Sequence, residues 1–420
     1  MDKSNFPIFE NYKKEFGKDL IYLDSAATTQ KLDSVLQKMN EYYLNYCSNV
    51  HRGIYTISET ATEEFENARA EIAKFFNVSP HQIIFTSGAT DSLNIIARSC
   101  KNFDIEQIVT TELEHNSNIL PFYKCKGESL NIKIAKINND LSFSYENIAQ
   151  AIYNKSTLLT ITGCSNVTGE ILNFEKIQNL HNPSSNIHKN ILLSLDAAQL
   201  VPHILFDPEF DIENLKLFDF VSFSGHKVFG ATGIGVLIIN NLDLISELET
   251  NLGGGTIENL ELKIENNSEN LEITYKSTPE RFEAGTQNIA GAIGLGEVFR
   301  QANNLTTQQK LKIRNETQNL AEYTYQELSN IPKLKLISNW DVETHAPIFT
   351  FTLNNIHPHD VAQYLNGLAN ICIRAGQHCT HITHKKLGLK ATCRASISIY
   401  NDSYDIQTLI EGIYFMSKQF

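Results

Sequence analysis

The chain reads as an α/β protein, a mostly parallel sheet in a large domain followed by a smaller α+β domain. Three observations predict this. Short apolar, β-rich runs, "IIFT", "IVTT", "LLTIT", "ILLSL" and "FDFVSFS", alternate with helix-compatible segments. Residues suited to chemistry follow the ends of several of these runs, where open α/β sheets bind ligands. From about residue 300 the pattern changes to a long polar helix and short strands.

The elements follow in order. "TATEEFENARAEIAKFF" places Phe65, Ala68, Ile72 and Phe75/Phe76 on one helical face, with charges opposite. After Ser79-Pro80, "IIFT" reads as a strand and "SGATDSLNIIA" as a turn feeding a helix. "GIGVLII", close behind "DFVSFS", is a candidate strand partner for it. "TTQQKLKIRNETQNLAEYTYQELSN" is a long amphipathic helix. "KLKLIS", "APIFTFTL" and "RASISIY" read as strands, and "PHDVAQYLNGL" as a helix. The expected division is a large domain over 21–299, with 1–20 and 300–420 forming the smaller one.

A length of 420 residues, 42% of them hydrophobic, is enough for one large core and a second smaller one. The net charge of −13 argues against binding to nucleic acid or to anionic membranes, since both need a positive field. The N-terminus has no apolar core of signal-peptide length, and no run is long and apolar enough to span a bilayer. The seven cysteines, at 47, 100, 125, 164, 372, 379 and 393, include no CxxC and no zinc-like Cys/His spacing. No metal site is predicted, and a reducing, cytoplasmic compartment with free thiols fits best.

The strongest local signal is "VSFSGHKVFGATGIGV", where a strand ends in Ser224-Gly225-His226-Lys227. A lysine buried at a strand end is costly unless used, and one use is a Schiff base. "LLSLDAAQLVPH" delivers Asp196 at the end of another strand, with Gln199 three residues on. Pyridoxal phosphate needs such a lysine for its aldehyde and such a carboxylate for its ring nitrogen. Alone, a lysine after a strand is usually solvated, and Asp196 alone reads as a helix N-cap. "FTSGATDSLN" puts Gly88, Ala89 and Thr90 at a strand-to-helix turn suited to a phosphate, with Ser224 and His226 as further donors. His115 in "TELEHNSNILP" and Asn166 in "ITGCSNVTGE" also follow strands. The shared placement of these residues carries the reading; each is weak by itself.

"YLDSAATTQ", "NVHRGIY", "ELEHNSNI", "SNVTGE", "DAAQ", "SFSGHKVFGATGIG", "RFEAGTQN", "RAGQHC" and "CRASISIYN" occur in an order that resembles SufS-type cysteine desulfurases, from about residue 20 to the C-terminus. These are fold-type I pyridoxal-phosphate enzymes of the class V aminotransferase superfamily. "NVHRG" and the R-x-G-x-H-C pattern are the parts more specific to the SufS/CsdA branch. The longer, serine-rich cysteine loop of the NifS/IscS branch is not found here.

The resemblance implies a large domain with a mostly parallel seven-stranded sheet. It implies that Lys227 holds the cofactor aldehyde, Asp196 pairs with the ring nitrogen, Gln199 contacts the ring hydroxyl and His115 stacks on the ring. Ala89 and Thr90, with Ser224 and His226, would hold the phosphate. Thr286, in "RFEAGT", would reach the partner subunit's cofactor and so implies a homodimer. Arg394 would clamp the substrate carboxylate with help from Asn166, and His51 and Arg374 would line the entrance.

The implied reaction converts L-cysteine to L-alanine. Lys227 moves the Cα proton, and Cys379 takes the sulfur as a persulfide for a SufE- or SufU-like acceptor, feeding iron–sulfur cluster assembly or another sulfur route. Arg374 and His378 are candidates to favour the thiolate of Cys379. Cys372, within "NICIR", reads as a buried strand residue, and Cys164 and Cys393 as packing. Two features depart from the family pattern: Gln377 replaces a histidine, and a proline after the cysteine is missing. The alternatives are a selenocysteine lyase, which shares nearly all these motifs, a kynureninase-like hydrolase or a small-amino-acid aminotransferase, neither of which needs Cys379, and a catalytically silent scaffold, which would be expected to lack Lys227, Asp196 or Cys379.

Overall fold

Six strands of the large sheet run parallel and one runs against them. The order across the sheet is Ile83–Thr86, Gly235–Ile239, Phe220–Ser224, Ile191–Asp196, Thr157–Thr162, Gln107–Thr111 and Asn131–Ala135. Only Gly235–Ile239 is antiparallel to its neighbours. It is the expected partner of "DFVSFS". The structure, a computed structural model, describes residues 2–125, 130–180, 190–251, 253–265 and 268–419. The inner strands are buried along nearly their whole length, which is why they read as continuous apolar runs rather than alternating ones. The carboxyl ends of the six parallel strands open on one edge.

The helix Thr56–Phe76 buries Phe65, Ala68, Ile72 and Phe76, with Phe75 partly covered. It packs on Ile289–Asn304, where Gly296 makes the contact possible: a Cβ there would lie 2.3 Å from that of Ala68. The same helix carries Arg69, which is 1% exposed and pairs both guanidinium nitrogens with Glu283 at 2.8 and 2.9 Å. Glu283 also accepts from the Phe85 amide, so one buried ion pair ties the helix to the first strand and to the "RFEAGT" segment.

The C-terminal unit has an antiparallel sheet in the order Leu334–Leu336, Ile348–Leu353, Thr392–Ser396, Arg374–Gly376. Helices Thr307–Ser329, Pro358–Ala369 and Ser403–Gln419 pack with it. The strand read from "RASISIY" ends at Ser396. Its partner begins at Ile348, after Pro347, which accepts from Ile397 but has no N–H to extend the ladder. Ile21–Tyr22 pairs with Ile371–Cys372, and Ile21 and Leu23 share a core with Phe349, Leu365 and Ile413. Ile21 and Leu23, read as part of the large domain, therefore pack with the smaller unit, while Tyr22 between them packs against the large core.

Elements with no counterpart in the sequence reading include the edge strand Asn131–Ala135, the helices Pro7–Phe16, Asp33–Asn45, Ile289–Asn304 and Ser403–Gln419, and the hairpin Ile257–Glu265/Ser268–Tyr275. In the hairpin, Leu262 opposes Leu271 and Leu260 opposes Ile273. All four are on one face and exposed.

Candidate active site

Where the parallel strands end, the smaller unit closes over the edge and leaves a cavity of about 800 Å³. Twelve of the fourteen residues singled out in the sequence line it. Ala89, Thr90, Ser224 and His226 are at one end, His115, Asp196, Gln199 and Lys227 along the floor, and Asn166, Arg374, Cys379 and Arg394 at the other. His51 and Thr286 are not among them. They stand together in a separate depression of about 240 Å³, with Gly254, Gly255 and Lys276.

Lys227 is enclosed by protein, with its amine facing the cavity, and burial lowers its pKa to about 8 although Asp196 opposes the shift. The amine is thus poised to give up a proton near neutral pH. Asp196 is buried at the end of its strand and accepts from the Ala198 amide at 3.0 Å. Burial raises its pKa, against the pull of that amide and Lys227. His115 accepts from the Ser117 amide at Nδ1 (3.2 Å), so its remaining ring proton is on Nε2. Burial brings its pKa down to about 4, and the ring is neutral.

At the strand-to-helix turn, Ala89 donates its amide to Ser224 Oγ (2.8 Å), and Thr90 Oγ1 meets Ser117 Oγ (2.9 Å). This turn presses on the neighbouring strand. A Cβ on Gly235 would come 2.4 Å from the Cα of Gly88, itself at φ 155°.

At the far end, Arg394 donates from Nη1 to Asn166 O (2.9 Å) and from Nη2 to Asp24 (3.3 Å). Asp24 also holds Arg374, at 3.5 Å. Arg394 Nε is buried and without a partner among the described residues. A buried guanidinium N–H left unpaired on a residue that lines the cavity is suited to a carboxylate.

Cys379 is exposed on a turn in which Gly376, His378 and Cys379 all have positive φ, at 132°, 50° and 56°. Such a turn is strained for the last two and must be held. Asn166 Nδ2 donates to His378 O and the Asn116 amide to Cys379 O, each at 2.8 Å. Thr380 donates its amide and hydroxyl to Gln377 O, at 2.9 and 2.8 Å. These bonds close the loop without the missing proline. The positive charge expected from His378 is not there: the residue is buried, and burial first of all drives its pKa down to about 2. Cys372 is half-buried in its short strand, not fully buried as expected, while Cys164 and Cys393 are buried.

The chain matches the aminotransferase class-V family over residues 21–409. It belongs to that family. Among curated relatives, it is 36% identical to probable cysteine desulfurases of Staphylococcus epidermidis and Staphylococcus aureus, over 97% of this chain and 94% of theirs. Among solved structures, it resembles an apo cysteine desulfurase from Thermococcus onnurineus. There the TM-score is 0.86 at 30% identity, covering 100% of this chain and 98% of that one. It also resembles the Escherichia coli cysteine desulfurase CsdA in an S-sulfonic acid form. There the TM-score is 0.82 at 26% identity, covering 99% and 97%.

Class-V aminotransferases are pyridoxal-phosphate proteins, and the residues present fit that group. A buried carboxylate, a partly neutralised lysine and a neutral imidazole line the floor, and a glycine-cradled helix N-terminus stands at one end. Two residues that support this class-V site went unread in the sequence. Asp24 lies in the quoted "YLDSAATTQ" but drew no role. Glu114, beside His115, is fully buried and accepts from Thr111 Oγ1 and Asn118 Nδ2, both at 2.6 Å. Asn118 in turn accepts from Thr160 Oγ1, so Glu114 pins the His115 loop to the next strand. The one sequence signal for it was an acidic residue directly before the histidine that follows a strand.

Proposed function

We propose that this chain is a SufS-like cysteine desulfurase, converting L-cysteine to L-alanine and holding the sulfur as a persulfide on Cys379. The observation that carries this reading is an exposed thiol on a braced turn in the same cavity as Lys227, Asp196 and Arg394. A transaminase or a hydrolase would have no use for that thiol.

Bound pyridoxal phosphate would supply an aldehyde for amines and a ring that draws electrons from the substrate's Cα. Asp196 would pair with its ring nitrogen, Gln199 with its hydroxyl, and His115 would cover one face. The first turn of Ala89–Ser99, with Ser224 and His226, would take the phosphate. Arg394, anchored by Asp24 and with Nε open, would bind the cysteine carboxylate, with Asn166 and Arg374 beside it. Lys227, with its lowered pKa, would move the proton at Cα. Cys379 Sγ would then bond to the substrate sulfur as the Cβ–S bond breaks and the electron pair stays with carbon. Protonation of that carbon leaves alanine.

The same reading includes a homodimer. Thr286 lies outside the cavity, as expected if it serves a partner's site, and His51, expected at the entrance with Arg374, stands beside Thr286 instead. Near them in sequence, Ile54 is 95% exposed and Leu44 81%, and the hairpin offers its four aliphatic side chains. An isolated two-stranded hairpin with a bare apolar face is poorly stable in water, so a second copy covering it is the economical reading. A SufE- or SufU-like acceptor, iron–sulfur cluster assembly and a cytoplasmic setting complete the proposal. Seven unpaired cysteines favour a reducing compartment.

Cys379→Ala tests the assignment. The variant should keep its cofactor absorbance and lose alanine production from L-cysteine. Undiminished alanine production would remove Cys379 from the mechanism.

A further inference from the structure

A buried chain of hydrogen bonds beside the thiol has a fixed direction. His384 Nδ1 lies 3.1 Å from Thr380 O, and a carbonyl oxygen only accepts, so Nδ1 carries a proton. Thr380 Oγ1, also 3.1 Å away, has given its own proton to Gln377 O and accepts here too. His384 is fully buried and burial disfavours its charged form, which leaves its Nε2 bare. Thr392 Oγ1 is 3.0 Å from that nitrogen and donates to it. The rival acceptor, Gly376 O, is farther at 3.5 Å. Thr392 Oγ1 must then accept from His378 Nε2, at 2.9 Å. His378 is thereby held as the Nε2–H tautomer. Its Nδ1 is a bare lone pair, buried and without a partner among the described residues, on a ring that lines the cavity next to Cys379.

An acceptor kept buried and unpaired costs stability and asks for a donor. We infer that His378 Nδ1 is the hydrogen-bond acceptor for a thiol S–H at the Cys379 end of the cavity, and that Thr392 and His384 are positioning residues that fix its tautomer. The donor is either the substrate thiol or that of Cys379. The identity of the donor rests on the desulfurase reading; the tautomer does not.

The test is nitrogen NMR on cofactor-loaded protein with its histidine rings labelled, the His378 signals being assigned by their loss in His378→Gln. The expected result is protonated Nε2 and unprotonated Nδ1. Thr392→Val should give a mixture of tautomers and lower desulfuration roughly tenfold, because the ring beside the thiol is no longer held. Thr392→Ser should restore both. The donor is found with Cys379→Ala, which holds L-cysteine without consuming it. If Nδ1 shifts with L-cysteine but not with S-methyl-L-cysteine, the substrate thiol is the donor. If it shifts on the Cys379→Ala substitution alone, the donor is the protein's own thiol. A protonated Nδ1 in the unsubstituted protein, a tautomer untouched by Thr392→Val, or no shift in either arm overturns the inference. Failure of the desulfurase reading would appear differently, as no alanine from L-cysteine with the tautomer intact.

Discussion

Glu114 shows how a single buried group can be read from its surroundings. It sits behind His115, where Thr111 and Asn118 donate to it, yet burial outweighs those bonds and raises its pKa to about 8. Asp196, at the end of the next strand but one in the sheet, adds to the shift. The folded protein therefore binds a proton that the unfolded chain releases at about 4.5. Between those values the folded state holds more protons, so this group's contribution to stability falls as pH rises through that window. Glu114→Gln should remove the dependence. Its melting temperature relative to the unsubstituted protein should improve steadily from about pH 5 to about pH 9. A constant difference across that range would mean that Glu114 is ionised in the fold. Arg394 and Asp24 show the limit of reading residues singly. An arginine after a strand can be singled out, but its anchor lies 370 positions away in sequence and only the fold joins them.

The elements that carry the site were legible for a physical reason. A buried parallel strand needs a continuous apolar run, and in such sheets the residue after the run faces the ligand edge. Asp196, Lys227, His115, Asn166 and Thr90 all follow strands of this kind and all reach one cavity. The hairpin at 257–275 went unread although its apolar residues alternate with polar ones as in an amphipathic strand; among the described residues its apolar face meets no core. The bracing of the cysteine loop was invisible, since Asn116, Asn166, Thr392 and His384 reach it from separate segments. The phosphate turn yields an element-scale prediction. Gly235→Ala would drive a methyl group into Gly88, so the strand and the turn must separate. The change should cost about 1–3 kcal/mol of stability and weaken cofactor binding in the same variant. Unchanged denaturant midpoint and cofactor affinity would contradict this close packing.

At the scale of the molecule, the cavity around Lys227 is lined without His51 and Thr286, which stand together outside it. The homodimer reading joins these facts. The double variant Leu262→Glu, Leu271→Glu would place charges on the exposed hairpin face. It should sediment as a monomer with its fold intact by circular dichroism. A dimer that survives the change would place the interface elsewhere. The central claim is that the cavity exists to deliver sulfur to one thiol. Mass spectrometry of the Cys379 peptide after brief exposure of the holoenzyme to L-cysteine tests this most directly. The account predicts the added mass of one sulfur atom on Cys379, removable by a thiol reductant and matched by released alanine. Alanine formed with no added sulfur on Cys379, or with the sulfur on another cysteine, would contradict it.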